Sequence, residues 1–245
     1  MKTSAKWIAP LIAVALLSAC GKGPDTASNG AGSAQPIAAP AGTDWVTTVE
    51  KTQDFGYRMG NPDAPVKLIE YGAFSCPGCA AFSKASDEGL KALVAKGTVS
   101  FELRPFLIHS QDLSASLLAG CNGPGPFFTI ADQLFARQES WLANTSTLTE
   151  GMVAAWQAQG EDVYATQMAQ HLGLPEFVAP LGISADKAKA CLADKKLIGE
   201  FRELMKVASE KYQVTGTPTF VINGNKVDVG GSWTALEAAL KAAGA

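Results

Sequence analysis

The chain has 245 residues, 47% of them apolar and 18% charged, enough to bury a sizeable core and unlike a disordered or collagen-like sequence. Lysine plus arginine number 20 against 23 aspartate plus glutamate, a formal charge of −3, which excludes a strongly basic nucleic-acid-binding protein. Five cysteines are too few for a disulfide scaffold, but they suit a working pair with a staple.

The N-terminus reads as an address. Lys2 and Lys6 make a short cationic region, and Trp7 to Leu17 is an apolar run well short of the ~20 residues that span a bilayer. Small residues and a polar Gly/Ser/Pro-rich tract follow, so residues 1–19 are expected to be a secretory signal peptide. Leu17-Ser18-Ala19-Cys20 resembles the lipobox of bacterial lipoproteins, which implies cleavage before Cys20 and lipidation of its thiol. The alternative is a soluble secreted protein. Export places the remaining cysteines where disulfides persist. Residues 20–43 hold almost no large apolar side chain and read as the lipidated cysteine with a flexible tether.

Trp45 to Tyr57 has the character of an edge strand or extended lead-in, closed by the turn-rich Asn61-Pro62-Asp63-Ala64-Pro65. Val66 to Tyr71 suits a buried strand, Cys76 to about Lys96 a helix, and Val99 to Phe106 a second strand, which together make a βαβ unit. From about His109 to Ser209 the spacing turns helical. Thr147 and Glu150 stand at capping-box spacing, and Leu197, Phe201, Leu204 and Ala208 share one helical face. Thr219 to Ile222 returns to strand, Asn223-Gly224-Asn225 is a hairpin turn, and Lys226 to Val229 is the partner. A last helix begins near Thr234 to Glu237. The expected architecture is one α/β core, residues 44–108 and 210–245, interrupted by an all-helical insertion, residues 109–209.

Cys76-Pro77-Gly78-Cys79 carries the chemistry. A C-x-x-C is either a redox pair or half of a zinc site. Zinc needs four ligands, and the sequence has no second C-x-x-C and only His109 and His171, neither at ligand spacing. The pair sits between a strand and a helix, the redox arrangement. With Cys76 at the N-cap, Pro77 falls where its missing N–H costs nothing. The N–H groups of Gly78 and Cys79, with the helix dipole, then favour a thiolate at Cys76. Cys79, one turn in, is the resolving thiol.

Glu70 is a charge in an otherwise apolar strand. It can accept the proton of buried Cys79, with desolvation raising its own pKa, or it can sit at a strand end or be neutralised by Arg104. Spacing leaves these open. Pro218, in Gly216-Thr217-Pro218-Thr219, would alone be read as trans.

Taken together, Asn61-Pro62-Asp63-Ala64-Pro65, Glu70, Phe74-Ser75-Cys76-Pro77-Gly78-Cys79 and Gly216-Thr217-Pro218-Thr219-Phe220-Val221-Ile222-Asn223-Gly224 resemble the DsbA-like thiol–disulfide oxidoreductases of the thioredoxin superfamily, from about Trp45 to the C-terminus. The resemblance implies a thioredoxin fold with an inserted helical domain and a cis Thr217–Pro218 bond facing the cysteines. It also implies Glu70 as the buried acid and a Thr217 backbone that pairs with an extended client segment. Gly78 stands where typical DsbA has a histidine. Part of the thiolate stabilisation that makes a disulfide strongly oxidising is therefore missing, and a milder oxidant is expected.

Thr217 before the proline also occurs in disulfide isomerases, but those generally carry a dimerisation domain that residues 21–43 cannot supply. An oxidase is favoured, with an isomerase or reductase using the same pair as the alternative. From another class, a lipoprotein that holds clients or metal without turnover remains open. Cys121 and Cys191, an even remainder in an exported protein, suggest a structural disulfide; the alternative is two buried thiols. The expected partners are exported proteins with free thiols, a membrane redox partner that resets the pair, and the membrane itself through the lipid. The expected site is the periplasm-facing cell envelope. No cofactor, metal or nucleic acid is expected. His109 reads as a loop residue or one at the rim of the site.

Overall fold

The computed structural model describes residues 34–245. The expected signal peptide, Cys20 and the first part of the tether lie outside the described residues. Six strands form one sheet: β1 (Val49–Lys51), β2 (Tyr57–Gly60), β3 (Val66–Gly72), β4 (Val99–Pro105), β5 (Thr219–Ile222) and β6 (Asn225–Val227). Their order is β1-β2-β4-β3-β5-β6. Among the described strands only β3 and β4 pair in parallel, and α1 (Pro77–Ala95) crosses between them, as a parallel pair requires. The expected lead-in strand is split: Trp45–Thr47 is a 3-10 turn, and a reversal at Phe55 folds β1 back on β2.

Period-two alternation sorts β3 onto two faces. Val66 and Leu68 enter the larger core with Phe82, Leu90 and Val94 of α1. Ile69 and Tyr71 enter a second core with Phe106 and Val221. The first face is also covered by α10 (Trp233–Ala242) through Leu236 and Leu240. The β5–β6 hairpin turns on Asn223 and Gly224, with φ of 49° and 83°. This two-residue turn with both φ positive matches the twist of its strands.

The insertion is helical throughout: α2 (Asp112–Ala119), α3 (Phe127–Ala136), α4 (Gln138–Leu142), α5 (Glu150–Gln157), α6 (Glu161–Leu172), α7 (Leu174–Val178), α8 (Ala185–Leu192) and α9 (Lys195–Tyr212), with short 3-10 turns between. It shares a core with the sheet. Tyr57 of β2 stacks on Phe127 of α3, ring centroids 3.7 Å apart, and Phe101 of β4 meets Phe128.

Three expectations need correction. The boundary at residue 209 falls inside α9. Ile198 and Phe201 of that helix pack into the larger core, while Leu204, Ala208 and Tyr212 cover the second face of the sheet. The same helix therefore serves both halves. Residues 34–43 are not free tether: the Ala34 N–H donates to Gly244 O at 2.8 Å, the Ile37 N–H to Lys96 O at 2.8 Å, and Trp45 Nε1 to Ile37 O at 2.7 Å. These contacts are made mostly by main chain, which composition does not reveal.

The expected helix starts also shift. Thr147 closes a 3-10 turn by donating to Asn144 O, so Thr149 becomes the N-cap and accepts from the Met152 N–H at 3.3 Å. Ser232 rather than Thr234 caps α10, accepting from Ala235 N–H.

Candidate functional site

Cys76 is the N-cap of α1, with extended φ and ψ of −81° and 117°, and Pro77 takes the first helical position. Its Sγ accepts the Cys79 N–H at 3.3 Å. This is one of the donors that a helix start leaves unpaired, and it points where the helix dipole is positive. On its other side the thiol donates to Thr217 O at 3.4 Å. The Thr217–Pro218 bond is cis, and Pro218 lies over the active-site turn: a Cβ placed on Gly78 would stand 3.5 Å from Pro218 Cδ and 3.7 Å from Cys76 Sγ. Pro77 and Gly78 are exposed. Cys76 is 6% and Cys79 0% exposed, and both are thiols.

Glu70 lies on β3, opposite Phe220 of β5 and Leu103 of β4. It is buried, and its Oε1 has no hydrogen-bond partner. Burial first, and then the charge of Cys76, push its carboxyl up to about 8. Burial and then Glu70 push the Cys79 thiol up in turn. These two acids are electrostatically coupled and neither is solvated, so both favour their protonated forms. A glycine at position 72 keeps the space: a Cβ there would stand 3.0 Å from Glu70 Oε1.

The Arg104 alternative fails on sheet geometry. Arg104 pairs in register with Tyr71, not Glu70, and so lies on the opposite face of the sheet. There its guanidinium binds Glu102 at 2.8 Å, Asp54 at 2.9 Å and the Tyr71 hydroxyl at 2.9 Å.

The insertion supplies residues that sequence reasoning missed. Gln138, at the start of α4, donates from Nε2 to Phe74 O at 2.8 Å and Cys76 O at 3.0 Å. Asp112, fully buried at the start of α2, accepts the Ser75 N–H at 2.9 Å on Oδ1. Its Oδ2 accepts the Ser75 hydroxyl at 2.9 Å and the N–H groups of Ile108 and His109 at 3.1 and 2.8 Å. Burial raises the Asp112 carboxyl, opposed by those hydrogen bonds. His109 Nδ1 stands 2.7 Å from Ser75 Oγ, which places this histidine on the rim of the cysteine loop. Only the loop position of His109 gave a sequence signal. Gln138 and Asp112 sit in ordinary helical sequence and gave none.

Cys121, just after α2, and Cys191 of α8 are joined by a disulfide with Cα atoms 5.6 Å apart. Among the described residues no three His, Cys, Asp or Glu side chains converge in a way that could hold a metal ion, and no helix is long and apolar enough to cross a membrane.

A parallel βαβ unit with a cysteine pair at the helix start, a cis proline facing it and a helical insertion define a thioredoxin-fold protein of DsbA-like build. The chain belongs to the thioredoxin family whose model matches residues 52–242. A curated relative from Rickettsia bellii, provisionally named a protein-disulfide oxidoreductase, is 25% identical over 168 residues, covering 68% of this chain and 56% of that protein. The chain thus spans just over half the length of the Rickettsia relatives it matches. A protein-disulfide isomerase from Novosphingobium aromaticivorans superposes with a TM-score of 0.71 at 26% identity, covering 76% of this chain and 95% of that one. Wolbachia pipientis alpha-DsbA1 shares the fold, with a TM-score of 0.60 at 19% identity over 76% of this chain and 89% of that one.

Proposed function

We propose that the protein is a DsbA-type thiol–disulfide oxidoreductase that donates a Cys76–Cys79 disulfide to the thiols of exported proteins. The observation that carries this reading is the Cys76 sulfur, held at the start of α1 between the Cys79 N–H and the carbonyl of Thr217. A client thiolate attacks Cys76 Sγ in the oxidised protein. The S–S bond breaks, and its electron pair goes to Cys79. Burial makes that sulfur a poor site for negative charge, so a proton must arrive with the electrons. Glu70, whose carboxyl is raised above all by burial, holds a proton there and supplies it. A second client thiolate then attacks the client sulfur of the mixed disulfide and expels Cys76 as the thiolate. The client leaves oxidised by two electrons, and the protein is left reduced with Cys76 as thiolate, Cys79 as thiol and Glu70 as carboxylate.

The client segment lies along Thr217 and the cis proline. The chain is anchored by a lipid on Cys20 and works on the periplasmic face of the cell envelope, and a membrane redox partner resets the pair. The scheme uses no cofactor, metal or nucleic acid.

The test uses the oxidised full-length protein with a reduced peptide carrying two cysteines. Rapid peptide oxidation, abolished by Cys76→Ser, is the expected result; a Cys76→Ser protein as active as the parent overturns the reading. The isomerase name of the Novosphingobium relative favours a second direction for the same pair. Equilibration with glutathione tests the direction, since a potential as reducing as the ~−270 mV of thioredoxin contradicts the oxidase.

A further inference from the structure

The loop that presents the nucleophile is held from outside the thioredoxin core. Ala73 O accepts the Cys76 N–H at 3.0 Å and Cys76 O accepts the Ala80 N–H at 3.1 Å; these bonds belong to the loop and to α1. Apart from the thiol's own bond to Thr217 O, the others come from the insertion. Gln138 binds Phe74 O and Cys76 O with one amide nitrogen, and Asp112 binds the main chain and hydroxyl of Ser75. Gln138 is 8% and Asp112 0% exposed, so neither bond competes freely with water, and each buried loop atom would be costly to leave unpaired. The Ser75 hydroxyl spends its single proton on the Asp112 carboxyl, so its contact with His109 Nδ1 needs the imidazole as the donor.

We propose that Gln138, with Asp112, acts as a positioning residue through which the helical insertion tunes the redox equilibrium of the cysteine pair. The reason is an asymmetry between the two redox states. In the disulfide, the covalent bond to Cys79 itself fixes where Cys76 Sγ stands. In the dithiol nothing covalent does so, and the sulfur meets the Cys79 N–H only if the backbone of Cys76 keeps its N-cap conformation. Gln138 holds the carbonyl of that residue, and Asp112 holds the residue before it. Their bonds therefore stabilise the dithiol more than the disulfide and raise the oxidising power of the pair.

This inference rests on the proposed redox role of the pair. The experiment is the equilibrium of the full-length protein with glutathione: protein disulfide plus two glutathione thiols gives protein dithiol plus glutathione disulfide. Gln138→Met keeps the length of the side chain and removes the donor. The expected result is a roughly tenfold shift of the equilibrium constant towards the protein disulfide, the scale of one or two hydrogen bonds, equivalent to ~30 mV. Loss of global stability alone lowers both redox states together and leaves this constant in place.

Ser75→Ala, a smaller change, removes the hydroxyl bond to Asp112 and should shift the constant about threefold in the same sense. An unchanged constant in folded Gln138→Met overturns the proposal; if that variant does not fold, an unchanged constant in Ser75→Ala does so. A parent protein that never equilibrates with glutathione refutes the redox role itself, a separate result.

Discussion

Replacing Glu70 with glutamine removes a buried carboxyl whose protonation is tied to folding. In the folded dithiol its pKa stands at about 8, against 4.5 when unperturbed, with burial as the main cause. Between those values the native protein keeps a proton that the unfolded chain has released, so stability falls as pH rises. The contribution is complete below the unfolded value and lost as pH passes the folded one. At ~1.4 kcal/mol per pH unit, the loss comes to roughly 3 kcal/mol at pH 7 and roughly 5 kcal/mol above pH 8. Glutamine does not titrate. Its buried amide adds a constant offset, so the signal is the slope of the difference rather than its sign at one pH. Urea unfolding of the reduced parent and of Glu70→Gln at pH 5, 6, 7 and 8 measures it. The stability difference should move steadily in favour of the variant across that range. A difference that stays flat would refute the assignment of a protonated, unpartnered acid beneath the cysteines.

Gly78→His puts a side-chain donor beside Cys76 at a position whose Cβ would make only ordinary contacts. The glutathione equilibrium should become more oxidising, by about 30 mV for each ~1.4 kcal/mol of thiolate stabilisation, and a more reducing variant counts against the argument. The paired change Cys121→Ala with Cys191→Ala opens a loop with a sequence separation of 70. It should lower stability by about 4 kcal/mol in the chain-entropy model, read by urea unfolding, while peptide oxidation at permissive temperature is retained. Cys20→Ser should move the protein from the membrane to the soluble fraction on cell fractionation; retention in the membrane fraction would remove the lipid anchor.

The parts of the site that a sequence can show are those whose chemistry is local. Cys76, Pro77 and Cys79 are legible because a helix start accommodates proline and presents free N–H groups within four residues. The β5–β6 turn is equally local, since Asn223-Gly224 tolerates positive φ. Glu70 was ambiguous because its meaning depends on which face of β3 it occupies, and that is fixed by pairing with β4 and β5. Register put Arg104 on the far side and removed the competing partner. Gln138 and Asp112 were illegible for a stronger reason. Their role lies mostly in hydrogen bonds to main-chain atoms of residues far away in the chain, and main-chain atoms carry no sequence. The domain boundary failed in a similar way, because α9 has one amphipathic face that serves two different cores along its length.

That shared helix has a mechanical meaning. With Ile198 and Phe201 in one core and Leu204, Ala208 and Tyr212 in the other, α9 works as a common axle: slack in either half is felt in the other. The inserted helices cannot be cut away to leave a minimal redox module, since such a truncation would either bare the reverse side of the sheet or strand half a helix in water.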